Sequence, residues 1–328
     1  MADSTLSAIE QLEWSVWPAF AMLAGARLEL FTHLKDGPKD CAEIARALGV
    51  RADKLKPLLL ALAAIGLLTI DGDNFANSKD AARLFVRGSP AYRDRTELWF
   101  GNWQAGLRTA ETIRRGEPQG GRDFSTASRE TLEIFYRAHY GQALSRGREL
   151  ASLVDFRPHQ TVLDVGGGSG GLSVALTEAF PKLAATIVDL PSVTPITETL
   201  LAEAGAPARV RVITADMLSD TPAESFDAAV VSSVVQVLSS DDARRLLADV
   251  GRAIRHGGSI YLRGDVLDDS GVTPFMTVMR NLVYLNVYSE GQAYTEREHR
   301  EWLAAAGFEN VTRRILPDGF SLLQGQKM

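Results

Sequence analysis

Cysteine is almost absent: Cys41 is the only one among 328 residues. A single thiol can form neither an internal disulfide nor a thiolate metal cluster, so a reducing compartment and no bound metal are expected. Long apolar runs are missing as well. No stretch reaches the roughly 18 apolar residues of a membrane span, and the opening MADSTLSAIEQLEW is acidic where a secretory signal would be basic and then apolar. A cytoplasmic protein with no membrane partner is therefore expected. Positive charge is in deficit, 35 Lys and Arg against 41 Asp and Glu, for a formal net charge of −6. That balance argues against affinity gained by neutralising phosphates, so no nucleic-acid partner is expected. Histidine is also scarce, with five in the chain, and this shortens the list of candidate bases.

What is present describes a globular chain of about two domains, with 45% hydrophobic and 23% charged residues. Residues 5–35 carry apolar positions at helical spacing and predict two helices with exposed Trp14, Trp17 and Phe20. From 40 to 78 the order is helix to Gly49, helix to Gly66, then LLTIDGDNFANS as a hairpin turning at Asp-Gly, which is a winged helix-turn-helix. A DNA reader would place its second helix in the major groove. Here that helix, LKPLLLALAAIGLL, has little beyond Lys54 and Lys56 to offer phosphates or bases, which favours a packing or dimerisation module. Helical segments follow from 92 to 157, interrupted by RGEPQGGRDF. From 160 strands alternate with helices, the pattern of a mostly parallel sheet covered on both faces. The expected division is 1–90, a helical bridge at 91–157, and 158–328.

The strongest chemical signal is VLDVGGGSGG, residues 162–171. Gly166, Gly168 and Gly170 directly after a strand permit a tight turn and let a ligand approach the N–H groups that open the next helix. Gly166, Gly168 and Gly171 also satisfy the dinucleotide pattern G-x-G-x-x-G, so the glycines alone do not separate NAD from other adenosyl ligands. The acids at successive strand ends discriminate better. Asp164 would repel a pyrophosphate but attract an amino acid's ammonium. Asp189, in IVDLP, suits two ribose hydroxyls in either case. Asp216, in ITADML, can accept from an adenine amino group while Met217 packs on the ring. The set favours S-adenosylmethionine.

With VLDVGGGSGG, VDLP, ADM, SIYLRGDVLDD and AYTEREHREWLAAAGF in this order and spacing, nearly the whole chain resembles the class I S-adenosylmethionine-dependent methyltransferases. The likeness is to small-molecule O-methyltransferases of the caffeate and hydroxyindole type. It implies an α/β, Rossmann-like catalytic domain, S-adenosylmethionine as cofactor, a small-molecule acceptor, and a homodimer made by the winged-helix domain. By the same resemblance Gly166, Asp189, Asp216, Met217 and Ser232 would meet the cofactor, and Asp164, Gly168, Leu190 and Tyr140 are further candidates for that contact. Trp103, Tyr136, Met279 and Tyr284 would line the acceptor pocket.

In SSVVQVLSSDD, residues 232–242, an apparent buried strand is interrupted by Gln236. The flanking SS and DDA place Gln236 where the resembling family keeps a histidine base; a glutamine can orient an acceptor but cannot take its proton. Two carboxylates that assist that histidine fall at Gly264 and Ala293, with Asp265 a neighbouring stand-in. Of the histidines, His33, His159 and His256 read as surface or structural, and His299, in TEREHREW, as solvated. His139, in FYRAHYGQ, lies where the resemblance puts a helix over cofactor and acceptor, so His139, Gln236 and Asp265 are the catalytic candidates. Two chemistries remain: O-methylation of an acidic or His139-activated hydroxyl, and C- or N-methylation of a pigment or polyketide. A regulator that binds DNA, or a cofactor-binding protein without methyl transfer, is the alternative of another class.

Overall fold

The computed structural model describes residues 7–89, 92, 96–121, 127–220 and 224–328. The chain divides into two compact units, Met1–Phe100 and Gly101–Met328. The expected boundary between residues 90 and 91 lies outside the described residues. Of the expected bridge at 91–157, the part from Gly101 onward falls in the second unit.

The first unit contains α1 (Ala8–Trp14), α2 (Val16–Arg27), α3 (Leu30–His33), β1 (Lys39–Asp40), α4 (Cys41–Leu48), α5 (Ala52–Ala64), β2 (Leu68–Asp71), β3 (Asn74–Asn77), α6 (Lys79–Phe85) and the start of α7 (Thr96–Leu107). Local chemistry sets its boundaries. Asp40 and Glu43 form a reciprocal cap at the start of α4, and Gly49 ends it at φ 68°. The expected hairpin is there, with Asp71 opposite Asn74 and Gly72 in the turn at φ 58°. Leu55, Leu59 and Leu62 turn inward from α5 onto Phe31, Ile44 and Phe75, each such burial worth about 1.5–3 kcal/mol. Trp14 and Trp17, by contrast, are 64% and 60% exposed, beside Ile9 and Leu12.

The second unit contains the rest of α7, α8 (Thr109–Arg115), α9 (Arg129–Leu153), β4 (Thr161–Val165), α10 (Gly171–Ala179), β5 (Ala184–Asp189), α11 (Thr194–Glu203), β6 (Val210–Thr214), β7 (Phe226–Ser232), α12 (Ser240–Ala253), β8 (Ile254–Gly264), β9 (Val266–Leu267), α13 (Phe275–Val287), β10 (Tyr294–Thr295), α14 (Glu296–Ala305), β11 (Phe308–Ile315) and β12 (Ser321–Lys327). Seven strands form one sheet in the order β6-β5-β4-β7-β8-β12-β11. The first five are parallel, and β12 and β11 add antiparallel. Chain order therefore reverses between β4 and β7, the switch point at which such sheets bind ligands beyond their carboxyl ends. β4, buried from Val162 to Val165, sits at the centre, with apolar clusters on both faces of the sheet.

The long helix α9 lies close against α10 because small residues meet there. A Cβ on Gly147 would come within 2.6 Å of the Leu172 carbonyl oxygen, and one on Gly171 within 2.8 Å of that of Tyr140. Two expectations are corrected. β7 stops at Ser232, and Gln236 lies in a single 3-10 turn, Val235–Val237, rather than in a strand. The chain leaves the sheet at Ser233, whose φ is 63° and whose N–H donates to the Arg263 carbonyl at 2.7 Å. His299 is not solvated but buried, its Nδ1 hydrogen-bonded to the Thr295 carbonyl at 2.8 Å and its ring against Tyr294 and Trp302. Among the described residues no helix is long and apolar enough to cross a membrane.

Candidate active site

The loop between β4 and α10 is built by its glycines. Gly166, Gly168 and Gly170 have φ of 63°, 55° and 78°, a region costly for residues with a side chain. Space demands glycine too: a Cβ on Gly166 would come within 2.8 Å of Val234, and one on Gly168 within 2.7 Å of the Tyr136 ring. Asp189, at the end of β5, is tied into this loop. One carboxylate oxygen accepts from the Gly168 N–H and the other from the Leu190 N–H, both at 2.8 Å. Burial pushes its pKa up to about 6 against the pull of those two N–H groups.

Asp164 is seated beneath the loop, buried, with the Ser173 hydroxyl donating to it at 2.6 Å. Burial raises its pKa to about 6, and nearby Asp189 adds to the rise while Ser173 opposes it. Asp216 caps its own turn by accepting from the Leu218 N–H at 3.0 Å, and Met217 is buried among Val188 and the apolar residues behind the sheet. Ser232 ends β7 at the same edge.

On α9, Tyr136 packs on the loop at Gly168, and burial pushes its hydroxyl well above the ordinary tyrosine range, so it stays protonated. Tyr140 is half-buried one turn further along. His139 stacks on Phe135 at 4.1 Å, and its Nδ1 lies 2.7 Å from the Phe135 carbonyl oxygen. A carbonyl accepts only from N–H, which assigns the proton to Nδ1 and makes Nε2 the basic nitrogen.

Gln236 is 4% exposed. Room for it comes from Gly264, where a Cβ would approach Oε1 to 3.0 Å. Asp265 is fully engaged: it pairs with Arg280 at 2.6 Å and accepts from the hydroxyls of Thr277, at 3.0 Å, and Tyr284. Those contacts hold α13 to β8 and turn Tyr284 inward. Trp103 is half-buried on α7, and Met279 is 40% exposed on α13. The structure thus brings Tyr136, Asp164, Gly166, Gly168, Asp189 and Leu190 into one cluster. Gln236 lies beside Gly264 at the neighbouring strand end, and Trp103 and Met279 stand on separate helices.

One buried group went unread in the sequence. Arg263, 1% exposed near the end of β8, has its guanidinium carbon 4.6 Å from the centroid of the Phe320 ring. The signal was a charge inside the apolar run SIYLRGDV.

Fold and loop together are those of an α/β protein with a glycine-built ligand edge at the switch point of its sheet. Residues 123–309 match the O-methyltransferase domain family, and the chain belongs to it, with S-adenosylmethionine as cofactor. The tetracenomycin polyketide synthesis 8-O-methyl transferase of Streptomyces glaucescens is 28% identical over 97% of this chain and 96% of that one. The N,N-dimethyltransferase OxyT of Streptomyces rimosus is 30% identical over 91% and 89%. Human N-acetylserotonin methyltransferase in complex with S-adenosylmethionine shares the fold, with a TM-score of 0.84 at 20% identity, covering 99% of each chain. The residues present suit that cofactor. The glycine loop offers backbone N–H groups without side chains in the way, and Asp189 is an acceptor already oriented by one of them, Gly168, and by the Leu190 N–H.

Proposed function

We propose that this enzyme methylates a hydroxyl group of an aromatic or polyketide-type small molecule. The observation that carries the acceptor class is the end-to-end likeness to a relative whose own name specifies 8-O-methylation in tetracenomycin polyketide synthesis. Asp189 would hold the ribose hydroxyls, Asp216 the adenine amino group and Met217 the adenine face. Gly166, Gly168, Leu190, Ser232 and Tyr140 would line the rest, with Asp164 supporting the loop from beneath. The bound cofactor supplies an electrophilic methyl group. The chain's contribution is to hold an acceptor oxygen in line in a dry site and to manage its proton.

A phenol of pKa about 10 is mostly protonated at neutral pH. In this reading the buried Gln236 amide orients the acceptor, and the proton leaves either unaided, from an acidified hydroxyl, or to Nε2 of His139. Asp265 acts through Tyr284 and Arg280 as a positioning residue, with Tyr136, Trp103, Met279 and Tyr284 bordering the acceptor. Incubation with the cofactor and a panel of hydroxylated aromatics should give products 14 Da heavier, one added CH₂. Gln236→Ala should lower kcat by less than about tenfold, whereas a loss of about 10³-fold or more, the scale of removing an acid or base, would overturn the assignment of Gln236.

N-methylation is the second reading. It is favoured by a Gln236 that cannot accept a proton and by the likeness to OxyT, named an N,N-dimethyltransferase; fragmentation of the product separates the two. We further propose a cytoplasmic homodimer that covers Ile9, Leu12, Trp14, Trp17 and Phe20 of α1 and α2. Light scattering on Trp17→Glu should then report a monomer.

A further inference from the structure

Three guanidinium groups surround the Phe320 ring beside the carboxyl ends of β7 and β8. Their central carbons lie 4.0 Å (Arg280), 4.6 Å (Arg263) and 5.4 Å (Arg146) from its centroid, distances at which a cation is attracted to an aromatic face. Arg280 is answered by Asp265 at 2.6 Å. Arg263 is not fully answered. Its Nη2 reaches Asp318 and, at 3.3 Å, Glu149. Its Nε and Nη1 are sealed from solvent, with no hydrogen-bond partner among the described residues. The two carboxylates it does meet are 44% and 31% exposed, so solvent screens them, while the arginine side chain itself is 1% exposed. A buried donor left unmade costs about 1–3 kcal/mol, and more when it is charged. Arg263 carries two.

Position links this group to the ligand edge. Arg263 is in register with Ser232, and its carbonyl accepts from the Ser233 N–H. Arg146 donates to the Ser233 hydroxyl at 3.4 Å. Arg146 also precedes Gly147, at which α9 packs closely on the start of α10.

We propose that Arg263, with Arg146 beside it, forms a carboxylate-receiving site at the carboxyl ends of β7 and β8. A planar carboxylate matches the forked donors of arginine better than any other small anion of a metabolite or amino acid. Its bearer is either the amino-acid end of the cofactor or a carboxylated acceptor, and only this choice rests on the methyltransferase reading.

Calorimetry on the whole protein separates the sources with four probes: S-adenosylhomocysteine, 5′-methylthioadenosine, which lacks the amino-acid carboxylate, 2-hydroxybenzoate and 2-hydroxybenzamide. If the cofactor bears the carboxylate, Arg263→Met weakens S-adenosylhomocysteine about 10- to 100-fold, the range of one or two charge-assisted hydrogen bonds, and leaves 5′-methylthioadenosine unchanged. If the acceptor bears it, 2-hydroxybenzoate loses that factor with S-adenosylhomocysteine saturating, and the benzamide does not. Should Arg263→Met fail to fold, Arg146→Met and Arg263→Lys are read in the same way, with a loss confined to one carboxylate-bearing probe supporting the site. Folded variants that bind all four probes as the wild type does would overturn it and leave the arginines a structural cluster. A wild type that fails to bind S-adenosylhomocysteine would instead remove the cofactor reading, and the benzoate and benzamide pair would still report on the site.

Discussion

Asp189 at the end of β5 and Arg263 near the end of β8 are both buried charges on one sheet, and the protein treats them in opposite ways. Asp189 has a backbone N–H on each carboxylate oxygen, supplied by the two turns it joins. Arg263 has one nitrogen served by partly exposed acids and two with no hydrogen-bond partner among the described residues. An acceptor that is already oriented can receive further hydroxyl donors without rearranging, whereas a buried donor that lacks a partner gains most from being filled. In the readings proposed above, the first arrangement would fix where a ligand lies and the second would select which group the ligand must bring.

Removing the oriented acceptor should have the largest effect. Asp189→Ala should weaken S-adenosylhomocysteine about 10²- to 10³-fold by calorimetry, the scale of two hydrogen bonds to a charged group. Asp189→Asn, which keeps one acceptor oxygen, should fall between that variant and the wild type. Affinity unchanged in a folded Asp189→Ala would dissolve the comparison from the β5 side.

A buried group on α14 supplies the contrast in stability. Burial lowers the pKa of His299 to about 4 from an ordinary 6.5, with the hydrogen bond to Thr295 opposing the shift. Between those values the unfolded chain binds a proton that the folded chain does not. Stability is therefore complete above about pH 6.5 and is lost as pH falls towards 4, by about 3 kcal/mol for a shift of this size. His299→Gln should flatten that acid limb in thermal unfolding while leaving cofactor affinity at pH 7.5 unchanged. An undiminished slope would mean that His299 is not the group responsible.

Protonation of Asp189 should act in the same pH range but on binding. Its pKa is raised to about 6 by burial, and Asp164, raised by the same cause, lies close enough to be coupled to it. A carboxyl that takes up a proton loses acceptor capacity, so S-adenosylhomocysteine affinity should be constant above about pH 7 and weaken about tenfold by pH 5. A profile flat from pH 7 to 5 would show that the ligand does not use the ionised form.

Much of the fold was legible because it is locally encoded. Reciprocal caps at Asp40 and Glu43, a left-handed Gly49, and glycines at 166, 168 and 170 fulfil requirements of the backbone beside them. Asp189 was readable because a strand end followed by Leu-Pro leaves a carboxylate few other places to lie. His299 was not, since TEREHREW gives no sign that the histidine face of α14 is pressed onto Tyr294 and Trp302. Nor was the Phe320 cluster, which draws Arg146, Arg263 and Arg280 from α9, β8 and α13. Gln236 failed for a subtler reason: apolar residues on either side suit a strand and a buried turn equally well. The turn is set by Ser233, whose N–H bonds across to β8.

Ser233 also offers the finest adjustment of the comparison, because it touches the Arg263 side through both its backbone and its hydroxyl. Its left-handed φ costs a residue with a side chain roughly 1–2 kcal/mol, and its hydroxyl accepts a long 3.4 Å bond from Arg146. Ser233→Gly removes both the strain and the bond while freeing the unfolded chain, at a cost of about 0.4–1 kcal/mol. Its net effect on stability, read from thermal unfolding, should be under about 1 kcal/mol. Ser233→Ala keeps the strain and loses only the hydroxyl, so it should be the less stable of the two. If Ala instead matches the wild type while Gly falls well below it, the strain is smaller than the backbone angle implies. If both fall by more than about 2 kcal/mol, the hydroxyl is holding Arg146 in place. Arg263 would then be the accessory member of a site centred on α9.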